Sequence, residues 1–342
     1  MKIQAVPVKD IRTIDSLVNG GGRFAMMTMD AATAGGMAFL VGELEKRDPK
    51  LREPLTSVTW MRDIVAKTGG GWVESASTYN VSYATAGPNE GGIIGGQSNN
   101  IPVMQADIGK DIYKVFTWAH IMRVPLVDQA KLQGIGRSLD EILDKGIRLD
   151  YQKSLDKNVY TGFASYGTTG LINNASVTAA SVATGAGAST LWINKTPDEI
   201  LYDVNKVMTD GWAASEYDLG GMSNHILIPP AQFAYLVGTK VSSAGTTSIL
   251  QFLLENNIGK NQGVDLQIVP CRWCIGAGSG ATDRMVSYVN DEDKVQFDIT
   301  VPLSRQMTQP VVGTMSYETA FAGQMSEVKF LYLQPPRYAD GI

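Results

Sequence analysis

The sequence predicts an α+β protein, and a long amphipathic helix over residues 138–162 is the element around which it is organised. Ser138 followed by Glu141 forms a capping-box pattern, and Gly162 marks the end of the helix. A glycine-rich β segment precedes this helix, and strands alternate with helices after residue 212. The apolar stripe of the helix repeats every fourth residue: Leu139, Leu143, Ile147, Tyr151, Leu155 and Val159.

Composition sets the limits on fold and function. The chain has 342 residues, of which 44% are apolar and 18% charged, so it can bury a substantial core. A net charge of -5 argues against tight non-specific DNA binding by the whole surface. Two cysteines exclude a disulfide-stapled fold. No stretch has the pattern of a signal peptide or membrane span, so we expect a soluble protein made in a cytosol.

Residues 1 to about 37 show no sustained period and predict an extended arm that needs a partner, or else a disordered tail. After them, Met37 to Arg47 resembles a short helix. Residues 58–66 (VTWMRDIVA) predict a strand.

Residues 68–109 are rich in glycine and poor in charge, which sets them apart from the rest of the chain. Tyr79, Val81 and Tyr83 alternate with polar residues, as in a strand. Turn signals lie between residues 87 and 100, and residues 101–108 could form the return strand. We therefore expect a long β-hairpin laid over an adjacent subunit, because a lone hairpin is marginal in water. The alternative is a mobile surface loop or an enzyme lid.

The remaining chain shows clearer local signals. Residues 112–124 predict a strand, and residues 175–189 a flexible loop. Thr196 to Glu199 forms a second capping box that starts a helix. Further elements follow: strands at 225–228, 264–269, 285–289, 295–301 and 328–333, and helices at 231–237 and 248–256.

No stretch carries a convincing catalytic, cofactor or metal pattern. Cys271 and Cys274 lie in a CRWC segment that runs into a glycine-rich loop, which does not favour a redox dithiol. A zinc site would need two more ligands, whereas the only histidines, His120 and His225, fall on separate predicted strands. The segment GAGSG (276–280) lacks the lysine of a phosphate-binding loop. We predict two structural thiols and no cofactor.

Several collinear segments carry a family resemblance. The polar β-arm, the long helix, the NVYTG and GLINN segments after it, and HILIPPAQF resemble the major capsid proteins of tailed bacteriophages, as do FLVGELEKRDPKLREPLTSV, YVNDEDKVQFDITVPL and KFLYLQPPRYADGI. These proteins share the Hong Kong 97-like fold with encapsulins. The resemblance implies these regions: an N-terminal arm (1–50), a peripheral domain (51–67 and 111–215) with spine helix 138–162, an extended loop (68–110), an axial domain (216–300) and C-terminal strands that return to the peripheral domain (301–342).

The resemblance also implies a function. Subunits would form pentamers and hexamers of an icosahedral shell that encloses double-stranded DNA without reading its sequence, in a virion assembled in the bacterial cytoplasm. A portal is implied, and a separate scaffolding protein, because the N-terminus lacks a long charged helical segment. Tyr79, Val81 and Tyr83 would contact the next subunit. An encapsulin-like compartment is the alternative within this fold, and a hydrolase or redox enzyme with residues 68–109 as a lid is the alternative outside it.

Overall fold

The computed structural model describes residues 54–86, 102–134, 138–242 and 245–342. The chain divides into two compact units, Met1–Thr56 and Ser57–Ile342, and the described helices and strands belong to the second. The predicted N-terminal arm, with its short helix, and the turn of the predicted hairpin lie outside the described residues.

The described residues form strands and helices with the following bounds. The strands are β1 (Val65–Thr68), β2 (Ser75–Ala86), β3 (Val103–Pro125), β4 (Thr178–Ser181), β5 (His225–Ile228), β6 (Gln267–Pro270), β7 (Arg284–Tyr288), β8 (Val295–Ile299), β9 (Val301–Val311), β10 (Ser316–Ser326), β11 (Lys329–Phe330) and β12 (Arg337–Asp340). The helices are α1 (Trp60–Asp63), α2 (Leu126–Gln133), α3 (Leu139–Thr161), α4 (Pro197–Ala214), α5 (Pro230–Gly238), α6 (Ile249–Asn256) and α7 (Ile258–Asn261).

The strands form three sheets. A four-stranded antiparallel sheet has the order β2-β3-β10-β9, and a five-stranded mixed sheet has the order β4-β12-β7-β5-β6. A three-stranded sheet has the order β1-β8-β11. Within the described ranges, no helix is both long and apolar enough to cross a membrane.

Helix α3 forms the predicted spine helix. Ser138 accepts a hydrogen bond from the backbone of Glu141, and Gly162 ends the helix with a φ of 67°. The predicted apolar stripe faces the interior, but its burial increases along the helix. Tyr151, Leu155 and Val159 are buried in the main core, whereas the residues of the first half, Leu139, Leu143 and Ile147, are only partly buried.

The chain after α3 turns back onto the end of the helix at very close range. Leu171 donates a backbone hydrogen bond to Val159 over 2.7 Å, and Ile172 donates to Tyr160 over 3.1 Å. A Cβ atom at Gly170 would lie 2.3 Å from the carbonyl carbon of Tyr160. Because backbone cannot give way as a side chain can, this return requires glycine.

A second core packs around helix α4. The helix starts with a complete capping box, in which Thr196 and Glu199 satisfy each other's backbone amides, as predicted. Ile200, Val204 and Met208 are fully buried against the five-stranded sheet and helix α6.

Four sequence predictions about local structure need correction. The strand predicted at 58–66 is the short helix α1 followed by β1. The two strands predicted at 101–108 and 112–124 are one strand, β3, of 23 residues. The loop predicted at 175–189 contains β4, which pairs with the C-terminal strand β12. Of the strand predicted at 328–333, only Lys329 and Phe330 are in β11.

A pair of glycine variants tests the close return of the chain. Gly170→Ala should destabilise the subunit by about 3 kcal/mol or more, because the new methyl group overlaps the backbone of Tyr160. Gly146→Ala, in the spine helix with nothing within 4 Å of the new atom, should stabilise it by about 0.5–1 kcal/mol. Chemical denaturation of both variants measures these changes. Equal stabilities of the two variants would show that Gly170 does not lie this close to the backbone of Tyr160.

Candidate functional site

Strands β2 and β3 form the predicted antiparallel hairpin. All 12 residues of β2 are paired, from Ser75 opposite Lys114 to Ala86 opposite Val103. Alternate residues of a strand point to opposite sides, and residues opposite each other in an antiparallel pair share a side. The register therefore sorts the hairpin side chains into two distinct faces.

One face of the hairpin is apolar and exposed. Tyr79, Val81 and Tyr83 are 68%, 50% and 71% exposed. The register places Ile108 opposite Val81, and Lys110 opposite Tyr79 with its Nζ 5.8 Å from the ring centroid. We call the exposed apolar side chains of this face the apolar hairpin face: Tyr79, Val81, Tyr83, Met104, Ile108 and Ile112. A contiguous exposed apolar patch is typical of an interaction surface.

The opposite face of the hairpin is polar. Thr78, Asn80 and Ser82 of β2 lie on it, together with Asp107 and Asp111 of β3. The side-chain amide of Asn80 donates a hydrogen bond to Asp111. The hairpin is therefore amphipathic, with one side suited to water and the other to a partner.

The apolar hairpin face continues along β3 into the body of the subunit, where the spine helix covers it. Trp118 donates a hydrogen bond to Ser154 Oγ over 3.2 Å, and its ring lies 5.2 Å from that of Tyr151. Met122 and Val124 are buried further along the same face. The same side of β3 is thus covered by α3 in the body of the subunit and exposed in the hairpin.

The other side of the four-stranded sheet carries exposed apolar side chains. Ile121 and Met307, which are 68% and 65% exposed, flank Ala320 across the three strands β3, β10 and β9. Ala119 lies opposite Ala322 in the next pair on the same side. We call these residues, Ile121, Met307, Ala119, Ala320 and Ala322, the open sheet face.

A buried polar cluster joins the body together. Asp63 of α1 is fully buried and accepts hydrogen bonds from Arg62 and from the Tyr160 hydroxyl, and it lies 3.2 Å from His225 Nε2. Its backbone oxygen accepts from the Tyr288 hydroxyl.

A second buried carboxylate completes the cluster. Asp156 of the spine helix accepts from the backbone amides of Thr59 and Trp60, over 2.8 and 3.2 Å, and from Trp273 Nε1 over 2.8 Å. It caps the start of α1, and together with Asp63 it forms what we call the carboxylate clasp. The clasp ties α1 to the spine helix, the five-stranded sheet and the segment around Trp273.

The clasp sets the charge state of Asp63. Burial by itself raises the pKa of this carboxyl, but hydrogen bonds from His225, Arg62 and Tyr160 outweigh it, so the pKa lies below its ordinary value. Asp63 is therefore ionised in the folded protein at neutral pH. It has no solvent access, which identifies the cluster as a structural anchor.

The two cysteines lie next to this core, in surroundings that do not favour a reactive thiolate at Cys274. Cys271 and Cys274 are both buried and flank a 3₁₀ turn rather than beginning an α-helix. The neighbouring Cys271 and burial raise the pKa of the Cys274 thiol, opposite to what a nucleophilic thiolate needs. Among the described residues, no three His, Cys, Asp or Glu side chains are placed to hold a metal ion.

Comparison with known proteins identifies the chain. A family model described as "Major capsid protein" matches residues 89–342, which is more than half of the sequence. The chain belongs to the major capsid protein family. No curated protein matches it.

Solved structures from phages share the fold of this capsid subunit. The capsid protein of Myoviridae phage XM1 has a TM-score of 0.73 at 16% identity, over 88% of this chain and 97% of that one. A chain of Microbacterium phage Oxtober96 has a TM-score of 0.58 at 12% identity, over 89% and 98% of the two chains. Mycobacterium phage Adephagia gives 0.56 at 12% identity, over 88% and 96%. The predicted Hong Kong 97-like fold is thereby confirmed.

Sequence reasoning found part of the capsid subunit's exposed surface and missed the clasp. Tyr79, Val81 and Tyr83 share one exposed face as predicted, whereas Met104, Ile108 and Ile112 join it only through the strand register. Two features of the sequence could have indicated the clasp. Asp63 interrupts an apolar run, and Asp156 lies beside the apolar stripe of the spine helix. His120 and His225 are on separate strands, β3 and β5, as predicted.

The clasp predicts an acid-sensitive subunit. The pKa of Asp63 is lower in the folded state than in the unfolded one. The ionised carboxylate therefore contributes to folding stability above about pH 4, and this contribution is lost as the pH falls below that value. Asp63→Asn should lower stability at pH 7 and should weaken the pH dependence below pH 4. Urea denaturation at several pH values measures both effects. An unchanged acid profile in the variant would contradict the role of Asp63.

Proposed function

We propose that this capsid protein assembles into pentamers and hexamers that close an icosahedral head shell around the double-stranded DNA of a tailed phage. The observation that carries the proposal is the amphipathic hairpin, whose apolar face is not covered by any described part of its own chain. In the shell, this face packs on the neighbouring subunit through Tyr79, Val81 and Tyr83.

The chemistry of the chain favours a mechanical role around DNA. With a net charge of -5, the subunit offers little general attraction to phosphates, so packaged DNA is enclosed and not bound by sequence. A portal for the DNA and a separate scaffolding protein would complete assembly in the host cytoplasm. The division into N-terminal arm, extended loop, peripheral domain and axial domain remains a prediction that fits this role.

The alternatives have less support. A hydrolase or redox enzyme with the hairpin as a lid needs reactive groups beneath it, whereas the carboxylate clasp and both cysteines are buried in the core. An encapsulin-like compartment would share the fold, but the family match and the phage capsid structures favour a phage head.

The energetics explain why the hairpin needs a neighbour. Isolated two-stranded hairpins are marginal in water, and this one leaves its apolar side exposed. Burying apolar surface yields about 25 cal/mol per Å², so covering one tyrosine or isoleucine contributes on the order of 2 kcal/mol. Each contact is modest, but a shell repeats it in every subunit.

In this proposal, the apolar hairpin face packs on the open sheet face of the next subunit. Ile121 and Met307 are the exposed apolar side chains on it, and the alanines around them allow close approach of a second sheet. The two surfaces lie on different parts of the same chain, so their contact is heterologous. Heterologous contacts form closed rings when the rotation between subunits closes, as a pentamer or hexamer requires.

Removing the tyrosine rings tests the hairpin contact. The double variant Tyr79→Ser, Tyr83→Ser should reduce particle yield at least tenfold and change subunit stability little, because the rings are exposed in the subunit. Sedimentation measures particle yield and thermal unfolding measures subunit stability. Ser82→Ala, on the polar face, is the matched control and should assemble normally. Unchanged particle yield in the double variant, or an equal loss of subunit folding, would refute the contact.

Engineered disulfides test which surface receives the hairpin. Ile121→Cys combined in turn with Tyr79→Cys, Val81→Cys or Tyr83→Cys should give covalent oligomers in oxidised particles for at least one pair, because a disulfide requires Cα atoms about 4.4–6.8 Å apart. Ile121→Cys with Ser82→Cys is the control and should not cross-link. Non-reducing gels measure the oligomers. If particles form but no cysteine pair cross-links, the open sheet face is not the surface that receives the hairpin. If the unmodified protein forms no particles, the proposal of a shell is refuted.

A further inference from the structure

A cavity of about 610 Å³ lies where the hairpin joins the body of the subunit. The spine helix ends at Thr161, and beyond it Phe163 and Tyr166 lie against Phe116 on the same side of β3. The cavity occupies this junction. Its main lining residues come from β3 and from the turn after the spine helix: Ile112, Lys114, Phe116, Trp118, Phe163 and Tyr166.

The cavity has a fixed aromatic wall. The ring of Phe116 lies 5.6 Å from that of Phe163 and 5.4 Å from that of Tyr166. Lys114 holds the turn to the strand, because its Nζ donates to the Tyr166 carbonyl over 2.8 Å. Its own amide donates to Glu327 over 2.8 Å. These contacts form the wall before any ligand arrives.

The charges around the cavity favour a neutral occupant. Glu74 and Lys114 are the ionisable carboxylate and ammonium groups that line it, and their charges are opposite. The Tyr113 residue in the lining is uncharged at neutral pH, since burial raises its pKa above the ordinary value. Because the two charges offset each other, the cavity has no net charge to attract a cation or an anion, whereas its aromatic wall offers contact area to a neutral aromatic ligand.

We propose that this cavity is a binding site for a neutral aromatic small molecule. Its volume lies within the range of about 300–1,000 Å³ that small-molecule sites occupy, and aromatic walls with few polar groups are typical of such sites. Ile112 and Lys114 belong to the hairpin strand where it pairs with β2, whereas Phe163 and Tyr166 belong to the body. A ligand here therefore contacts both parts and restrains the angle between them.

The test uses N-phenyl-1-naphthylamine, a neutral aromatic probe that fluoresces in apolar surroundings, with the full-length unassembled subunit. We expect saturable binding of one probe per subunit. Tyr166→Ala removes an exposed side chain from the wall and should weaken binding at least fivefold without unfolding the protein. Ser75→Trp adds a large ring to the lining and should block binding by filling the cavity.

The matched control is Tyr79→Ser with Tyr83→Ser, which alters the apolar hairpin face outside the cavity. This variant should bind the probe within twofold of the unmodified subunit. Loss of binding in the control, or retention of binding in both cavity variants, would overturn the proposal, as would the absence of saturable binding.

A second copy of the chain is the competing occupant, and protein concentration distinguishes it. If a neighbouring subunit filled the cavity, raising the subunit concentration would displace the probe in parallel with oligomer formation seen by sedimentation. That result would overturn the small-molecule site. Concentration-independent binding supports it, and because the subunits are unassembled, this outcome does not depend on whether shells form.

Hydrogen exchange gives a second readout. Bound probe should slow amide exchange in residues 112–118 and 163–166, on both sides of the junction, relative to the rest of the subunit. No change in either segment at saturating probe would contradict the location of the site.

Discussion

The carboxylate clasp is the constraint on which the rest of this subunit depends. Asp63 and Asp156 are both buried, and a buried carboxylate is stable only when donors surround it. The donors to these carboxylates come from α1, the spine helix, β5 and the turn at residues 271–274, and Tyr288 of β7 donates to the backbone oxygen of Asp63. Because these hydrogen bonds join Asp156 and Tyr160 of the spine helix to α1, and α1 to His225 and Tyr288, the clasp ties the C-terminal half of the spine helix to the five-stranded sheet.

From that fixed half, the position of the spine helix determines which surface remains uncovered. Tyr151 and Ser154 contact Trp118, so the helix covers the apolar side of β3 from there towards Val124. The helix ends at Thr161, Phe163 and Tyr166 lie against Phe116, and from Ile112 into the hairpin the apolar side chains on this side of the strand are exposed. Because β3 is one strand of 23 residues, the apolar hairpin face lies on a strand that extends from the core and not on a flexible loop.

Much of this arrangement follows from local sequence signals. The spine helix and its ends, the capping box at Thr196, and the strand period of Tyr79, Val81 and Tyr83 all depend on residues close in sequence. Tertiary contacts decided the elements that were missed. Helix α1 forms in a strand-like sequence because Asp156, almost 100 residues away, caps its start. Strand β4, in a segment of alanine, serine and threonine, forms because β12 pairs with it.

The apolar hairpin face shows both kinds of signal, local sequence and tertiary pairing. The alternation in β2 was sufficient to place three residues on one side, but which residues of β3 join them depends on pairing across the hairpin. The resulting face would promote aggregation in a protein that stayed alone. Here the subunit's cores do not include it, so the subunit can fold first and bury the face later. In the proposed shell, separating folding from burial in this way lets the free energy of the hairpin contact act between subunits.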